Sequence, residues 1–113
     1  MNTIIFNIKD DAQFTAFTPV VAPLGEPVSL TRTALDVETD QALMGIWECT
    51  PGTWRRQVLQ AEYSYFIAGS GRFLHDNGEV IRFQAGDGVY FPAGSTGTWE
   101  IEDLVRKSYV IFK

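Results

Sequence analysis

The residue types that most often do chemistry are scarce in this sequence. Histidine and cysteine each occur once, as His75 and Cys49. Transition metals in proteins are held by several imidazole, thiolate or carboxylate ligands, and a two-histidine iron site cannot be built within one such chain. We therefore predict a site without metal and a protein without a cofactor.

Nucleophilic catalysis also lacks its usual signatures. A Cys49–His75 dyad is not expected, because His75 directly precedes a predicted hairpin tip and is interpreted as a surface residue. Cys49 is better interpreted as an inert core thiol. The serines lie in no nucleophile elbow, and the glycine clusters precede strands and not helices, so no phosphate loop is predicted.

Bulk properties limit the partners. The chain has 113 residues, which suits one domain, and a net charge of −5. An acidic protein lacks the dense basic face that binds nucleic acid, and no apolar run reaches the roughly 18 residues of a membrane helix. The single cysteine permits no intrachain disulfide, and the N-terminus does not resemble a signal peptide. We expect a cytoplasmic protein that binds neither nucleic acid nor membrane.

Short strands are predicted from Val28 onward. The apolar and β-branched runs are VSLTRTAL, ALMGIWEC, TWRRQVLQ, EYSYFIAG, GRFLHDNGEVIRF, GVYFP, GTWEIE and RKSYVIFK. The third and fourth are expected to be neighbours. The fifth predicts a hairpin that closes on a two-residue Asn77-Gly78 turn with positive φ at both positions. Many short strands at regular spacing indicate an all-β antiparallel sandwich or barrel.

Residues 1–27 are predicted to form an N-terminal extended arm, and residues 28–113 a single barrel domain. IIFNI is a candidate short strand, and DDAQFTAF a candidate helical turn capped by Asp10 or Asp11. Three prolines then favour an extended path. Such an arm is expected to pack on a neighbouring surface, either of its own barrel or of a partner subunit.

One spacing is specific to a known family. Gly86, Pro92 and Gly94 follow the order G-x5-P-x-G, which opens the second conserved motif of the cupins, G-x5-P-x-G-x2-H-x3-N. The spacing makes physical sense, because Gly86 turns the chain into a strand, Pro92 ends that strand and Gly94 turns the chain again. Glu62 and Gly69, with six residues between them, repeat the close of the first cupin motif, E-x6-G.

The chain resembles one branch of the superfamily, the small single-domain cupin_3 or DUF861 group, over roughly Gly45 to Ile111. The stretches GIWECTPG, GDGVYFPAG and GTWEIEDLVRKSYVI carry the resemblance. That group includes proteins similar to ethanolamine-utilisation protein Q and to half of ureidoglycine aminohydrolase. The resemblance implies a double-stranded β-helix, or jelly-roll, barrel, and pairing into a homodimer.

The positions that bind metal in other cupins are replaced here. The histidine pair of the first motif falls in the region Arg55–Val58, and the histidine and asparagine of the second motif fall on Gly97 and Ile101. Glu62 alone remains, and one carboxylate provides too few ligands even for Mg²⁺. The metal-dependent activity of the aminohydrolase relatives is therefore not carried over.

By the same resemblance, Glu62 faces into the barrel with Ser64 and Phe66, while Tyr63 and Tyr65 face outward. Gly97 and Trp99 are expected to share the inward face of a later strand, where Gly97 leaves room for an organic ligand. Either Arg56 or its two neighbours face inward beside Glu62, and that parity is left open. The predicted ligand-binding residues are Glu62, Arg55, Gln57, Trp99, Tyr90 and Trp47.

Three functions fit these residues. The first is a metal-free binding module for a small polar or anionic metabolite. The second is a metal-independent isomerase, lyase or hydrolase with Glu62 as general acid or base. The third is an accessory dimer with an unused barrel. Each residue also has a purely structural interpretation: Glu62 as a buried carboxylate paired with an arginine, the tryptophans as core filling, and Arg106-Lys107 as the solvated end of a strand.

Overall fold

The computed structural model describes residues 2–113 as two antiparallel β-sheets packed face to face. The strands are β1 (Thr18–Pro19), β2 (Leu30–Glu38), β3 (Ala42–Cys49), β4 (Gly52–Val58), β5 (Glu62–Ala68), β6 (Ser70–His75), β7 (Val80–Gln84), β8 (Gly88–Phe91), β9 (Ser95–Ile101) and β10 (Val105–Phe112). Each of the ten strands overlaps a run that the sequence marked as strand or extended chain, although β2 continues to Glu38 and β9 begins at Ser95, outside the predicted runs. The all-β class and the cupin-type jelly roll are confirmed.

The two sheets are formed by strands that are mostly distant in the sequence. One sheet has the order β1-β2-β3-β10-β5-β8, and the other has the order β4-β9-β6-β7. The prediction that β4 and β5 are neighbours is wrong, because the chain crosses between the sheets after Val58. β4 pairs with β9, and β5 pairs with β10 and β8. This crossing places the inward faces of β4 and β5 opposite each other across the barrel.

The core is a set of aromatic rings between the two sheets. Phe66, Phe73, Phe91 and Trp99 are buried, and Phe66 stacks on Phe83 with ring centroids 4.1 Å apart. Burial alternates along β5, so that its glutamate, serine and phenylalanine face inward while its two tyrosines are exposed, as predicted. The period of two therefore fixes which side chains can reach the interior.

The β6–β7 hairpin closes on three residues and not two. The His75 amide donates to the Glu79 carbonyl at 2.8 Å, which leaves Asp76, Asn77 and Gly78 as the loop. Of these three, Gly78 alone has a positive φ, of 98°. A three-residue loop of this kind ends with a residue in the left-handed region, so Asn77 keeps an ordinary backbone conformation.

His75 is not the surface residue that the sequence suggested. Its side chain is 12% exposed, because the imidazole packs edge-on against Phe73 at a centroid distance of 4.8 Å. The hairpin tip thus begins one residue after His75.

The N-terminal arm packs on the barrel of its own chain. Asp10 caps a three-residue 3₁₀ turn, Asp11–Gln13, which confirms the predicted turn and its cap. Residues 4–8 form no strand, contrary to expectation. Farther along, the Val20 amide donates to the Ser29 carbonyl at 3.1 Å and the Arg55 amide donates to the Ala22 carbonyl at 3.0 Å. The arm is therefore part of the barrel wall.

An ion triad holds the arm to the outer face of the larger sheet. Arg32 and Arg106 each donate to the buried carboxylate of Glu48, at 2.8 and 2.7 Å. The Arg32 guanidinium also lies 4.1 Å from the centroid of the Phe14 ring. Arg106 therefore contributes a structural contact, and its interpretation as a solvated strand end is corrected. Within residues 2–113 no helix has the length and apolar character that crossing a bilayer requires.

Candidate functional site

The second cupin motif forms the turns that its spacing predicts. Gly86 and Gly94 have φ values of 97° and 82°, which favour glycine, and β8 ends at Phe91, directly before Pro92. The Gly86 amide donates to the Phe66 carbonyl at 2.8 Å and so ties the first turn to β5. The scaffold of the motif is intact although its histidine position is empty.

A cavity of about 340 Å³ lies between the two sheets. We call it the barrel cavity. Its walls come from both sheets and from the arm, and its lining residues are Thr18, Pro19, Val20, Val21, Thr31, Trp47, Trp54, Arg56, Val58, Glu62, Phe91, Trp99, Lys107, Tyr109 and Ile111. All three tryptophans of the chain are in this set. The predicted inward positions of Glu62, Trp47 and Trp99 therefore meet at one site.

Lys107 is the partner of Glu62 in the barrel cavity. Its Nζ lies 2.8 Å from Glu62 Oε2, and both side chains are less than 10% exposed, at 6% and 8%. The Ser64 hydroxyl donates to the same carboxylate oxygen at 3.0 Å. The carboxylate was expected to pair with an arginine, whereas a buried ammonium from β10 makes the contact.

Burial and mutual attraction have opposite effects on the pKa values of Glu62 and Lys107. Burial raises the pKa of Glu62, but the charge and hydrogen bond of Lys107, helped by Ser64 and Arg56, outweigh it and leave that pKa below its usual value. For Lys107, burial lowers the pKa and outweighs the attraction of Glu62, while the positive charge of Arg56 lowers it further. Removing either partner would leave an uncompensated charge in the core.

Arg56 faces the barrel cavity, whereas Arg55 and Gln57 do not. Arg56 shares the inward parity of Trp54 and Val58 on β4, and all three line the cavity. Arg55 instead points outward and binds both carboxylate oxygens of Asp76 at 2.7 Å. That hydrogen bond lowers the pKa of Asp76 to about 2. The expectation that Arg55 and Gln57 line the cavity is thus wrong, and Arg56, which lies between them, takes that position.

The space beside Gly97 is filled and not open. Gly97 does face inward with Trp99, but a Cβ added at Gly97 would lie 2.6 Å from a ring carbon of Phe73 and 2.3 Å from the Leu74 carbonyl oxygen. The expectation that this glycine makes room for a ligand is wrong, because the phenylalanine of β6 already occupies that volume. The barrel cavity lies elsewhere, between β4, β5 and β10.

The three indole rings form an aromatic wall. Their centroids are 6.3 to 6.4 Å apart in each pair. The Lys107 ammonium lies 4.7 Å from the Trp47 ring and 5.3 Å from the Trp99 ring. Tyr90 takes no part, since it is 60% exposed on the outer face of β8, opposite Tyr63. Its predicted role as a cavity wall is corrected.

Two cavity residues, Lys107 and Tyr109, were missed in the sequence. Both lie at alternate positions of β10, in register with Phe66 and Ser64 on the inward face of β5. The alternation of RKSYVIFK contained the signal, but a basic residue near the end of a strand is normally interpreted as solvated. The Tyr109 hydroxyl donates to Asp36 at 3.2 Å, and burial raises the pKa of the phenol.

Within residues 2–113, no three His, Cys, Asp or Glu side chains come together as a potential metal site. His75 lies 3.6 Å from Glu79, outside the barrel cavity. Burial raises the pKa of Cys49 to about 11, which matches an inert core thiol. A metal-free site therefore stays a prediction, with the Glu62 carboxylate already paired with an ammonium.

Solved structures with the same fold come from several bacteria. The EutQ protein of Clostridium difficile shares 23% identity, with a TM-score of 0.67 over 77% of this chain and 65% of that chain. This chain thus spans just under two thirds of that protein. A DUF861 family protein from Thermotoga maritima shares 28% identity, with a TM-score of 0.58 over 59% of this chain and 76% of its own.

A candidate ethanolamine utilization protein Q from Salmonella typhimurium shares 20% identity, with a TM-score of 0.65 over 86% of this chain and 94% of its own. No protein with a curated description matches the chain. Residues 37–109 match the model of the EutQ-like cupin domain. That match runs from before β3 into β10 and includes both motifs and every cavity residue from Trp47 to Tyr109, so this chain belongs to the EutQ-like family of cupins.

Proposed function

We propose that this protein binds a small anionic metabolite in the barrel cavity without a metal ion. The observation that carries the proposal is the position of Arg56, an exposed residue that lines the same cavity as the Lys107–Glu62 pair. We place this activity in the cytoplasm, because the single cysteine is buried as a free thiol.

The charges around the cavity favour an anion. Two cations, Arg56 and Lys107, and one carboxylate, Glu62, are the only Asp, Glu, Lys, Arg or His side chains that line it among the described residues. Lys107 and Glu62 neutralise each other, so the positive charge of Arg56 is left over. Arg56 forms no salt bridge with any residue of 2–113. A planar guanidinium of this kind binds a carboxylate or phosphate through two hydrogen bonds.

The size and walls of the cavity limit the ligand. Small-molecule sites in proteins usually start near 300 Å³, so about 340 Å³ suits a compact metabolite. The indole rings of Trp47, Trp54 and Trp99 offer flat apolar surface, while the Thr31 and Tyr109 side chains add hydroxyl groups. An open volume of this kind supports the binding module over an accessory protein whose barrel is unused.

The test is a thermal-shift screen of small carboxylates and phosphates on the wild type, Arg56→Ala and Arg55→Ala. Arg55→Ala is the matched control, because it removes the same charge from the adjacent residue on the outward face. A ligand bound at Arg56 raises the Tm of the wild type and of Arg55→Ala, and its effect is lost in Arg56→Ala. Equal shifts in the two variants, or no shift with any compound, contradict the proposal.

Metal-independent catalysis is the second candidate, and the burial of a carboxylate and an amine in one cavity favours it. Glu62 is held as an anion by Lys107, so it is suited to accept a proton and not to donate one at neutral pH. A Glu62→Gln variant that still binds the ligand but no longer turns it over distinguishes catalysis from binding.

A further inference from the structure

We propose that Lys107 forms a reversible imine with the carbonyl carbon of a 2-oxo acid whose carboxylate is held by Arg56. This inference rests on the proposed function and adds the reactive group of the ligand. Lysine acts as a nucleophile in proteins where its amine is desolvated in an apolar pocket or lies near another cation. Both conditions are met in the barrel cavity.

The amine of Lys107 is inside the cavity and not at the surface. Its side chain is 6% exposed, and its Nζ is surrounded by the rings of Trp47, Trp99 and Phe66 at 4.7, 5.3 and 5.9 Å. The other two lysines, Lys9 and Lys113, are exposed. A carbonyl compound that enters the cavity therefore meets one amine.

Glu62 is placed to move the protons. With its oxygen 2.8 Å from Nζ, the carboxylate accepts a proton from the ammonium, and the pair becomes a neutral amine and a neutral acid. Burial disfavours the two charges and so lowers the cost of this exchange. The Ser64 hydroxyl, 3.0 Å from the same oxygen, holds the carboxyl group in position.

The reaction is a balanced condensation. The amine nitrogen bonds to the carbonyl carbon as the C=O π electrons move to oxygen, and the oxygen takes a proton from that nitrogen and becomes a hydroxyl. Glu62 then returns a proton to that hydroxyl, which leaves as water while the C=N bond forms. One carbonyl and one amine give one imine and one water, and no oxidant or reductant takes part.

Arg56 selects the class of carbonyl compound. A simple aldehyde has no anionic group, whereas a 2-oxo acid carries a carboxylate next to its carbonyl carbon. Arg56 lines the same cavity as Glu62 and Lys107, and its positive charge lowers the pKa of both. A guanidinium that binds the carboxylate would thus bring the adjacent carbonyl to the amine, and the indole faces would stabilise the protonated imine through cation–π contacts.

The test is reductive trapping. The wild type is incubated with pyruvate or glyoxylate and cyanoborohydride, which converts an imine into a stable secondary amine, and the modified residue is identified by peptide mass mapping. We expect Lys107 to be modified at least tenfold faster than Lys9 and Lys113. Modification of the exposed lysines at an equal or faster rate overturns the proposal, and this comparison needs no variant.

Variants separate this inference from the proposed function. Modification at Lys107 should be lost in Lys107→Arg, should fall at least tenfold in Arg56→Ala and should persist in Arg55→Ala. If pyruvate or glyoxylate binds in an Arg56-dependent way without modifying Lys107, the imine is overturned and the binding function stands. If Lys107 is modified equally in Arg56→Ala, the imine stands but the anion site fails. If neither binding nor modification occurs with pyruvate or glyoxylate, the imine is overturned, and the screen of carboxylates and phosphates decides the binding function separately.

Discussion

At the scale of single residues, the ammonium of Lys107 provides the positive charge that faces Glu62. In metal-binding cupins the matching glutamate belongs to a set with three histidines, whereas here its oxygen lies 2.8 Å from Nζ. The ammonium is further surrounded by indole rings. A tethered cation therefore satisfies the buried carboxylate, which explains how the barrel keeps this glutamate without the histidines.

Glu62→Gln should destabilise the protein by about 3 kcal/mol, because it leaves the buried Lys107 ammonium without a counter-charge. The double variant Glu62→Gln/Lys107→Met should recover to within about 1 kcal/mol of the wild type, since it removes both buried charges. Urea unfolding of the wild type, Glu62→Gln, Lys107→Met and the double variant measures both values. A cost below about 0.5 kcal/mol for the single variant would show that the pair is solvated.

The same pair sets an acid dependence. The folded-state pKa of Glu62 is lowered relative to its unfolded value of about 4.3, so its stabilising contribution is complete above that pH and is lost as the pH falls through the folded value. Between pH 5 and pH 3, the wild type should therefore lose more free energy of unfolding than Glu62→Gln. Parallel pH profiles for the two proteins would contradict this assignment.

Gly97→Ala should cost about 2 kcal/mol, because its Cβ would overlap the Phe73 ring and the Leu74 carbonyl. For the same reason, Gly97→His should not create a metal site, although it restores the histidine of the second motif. Chemical denaturation measures the first effect, and elemental analysis of the purified Gly97→His variant measures the second. Stable uptake of one equivalent of metal by that variant would show that Phe73 moves aside.

The position of a residue in a strand or motif predicted its place in the site better than its residue type did. Glu62 and Trp99 were placed by strand alternation and the family resemblance, Trp47 was predicted only as an aromatic wall, and all three line the cavity. Lys107 was missed because its exposure depends on which strands pair with β10, and Gly97 was misinterpreted because Phe73 fills its space from another strand. Such contacts are long-range, and local sequence does not encode them.

At the scale of elements, the arm forms one wall of the site. Thr18, Pro19, Val20 and Val21 line the cavity, yet β1 pairs with β2 through two residue pairs only. Phe14 adds a hydrophobic anchor, since it is 9% exposed and packs with Ala34 and Ile46. A short strand therefore depends on a neighbouring hydrophobic anchor.

Phe14→Ala should destabilise the protein by about 3 kcal/mol and loosen the arm. The Arg55 amide, which donates to the Ala22 carbonyl, should then exchange its hydrogen faster than the amides of β6. Phe17→Ala is the control, since Phe17 is 39% exposed and should cost less than about 1 kcal/mol. Unchanged exchange at Arg55 in Phe14→Ala would show that the arm is held by other contacts.

The strands were predictable from the sequence, but their partners were not. Alternating burial in β5 and the turn residues Gly86 and Gly94 gave the elements and their faces. The pairing of β4 with β9, and not with β5, depends on a chain crossing between sheets. The alternation along β4 is the same whichever strand it pairs with, so the sequence does not show which face of β4 points inward. The inward position of Arg56 became evident only from the fold.

At the scale of the whole molecule, the outer face of the larger sheet carries an uncharged patch. Tyr63, Tyr65 and Ile67 of β5 are 42 to 44% exposed and lie beside Met44 and Val110. Two copies of such an uncharged surface can pack against each other. The rest of the protein carries the net charge of −5, so two copies repel each other when they meet through other surfaces. We expect a homodimer through this face.

Light scattering after size-exclusion chromatography should give the mass of two chains, and Ile67→Lys should give the mass of one, because it places like charges across the two-fold axis. Leu59→Lys is a control, since Leu59 is 73% exposed away from this patch. A monomeric wild type would contradict the expected homodimer and leave the barrel site unaffected.

The anion site at Arg56 is tested most directly by the three indole N–H signals in a ¹H–¹⁵N spectrum, because every tryptophan of the chain lines the barrel cavity. Titration with small carboxylates, pyruvate and glyoxylate among them, should shift these signals to saturation in the wild type and in Arg55→Ala, and should leave them unmoved in Arg56→Ala. Indole signals that stay fixed with every compound, or that move equally in Arg56→Ala, would contradict an anion site at Arg56.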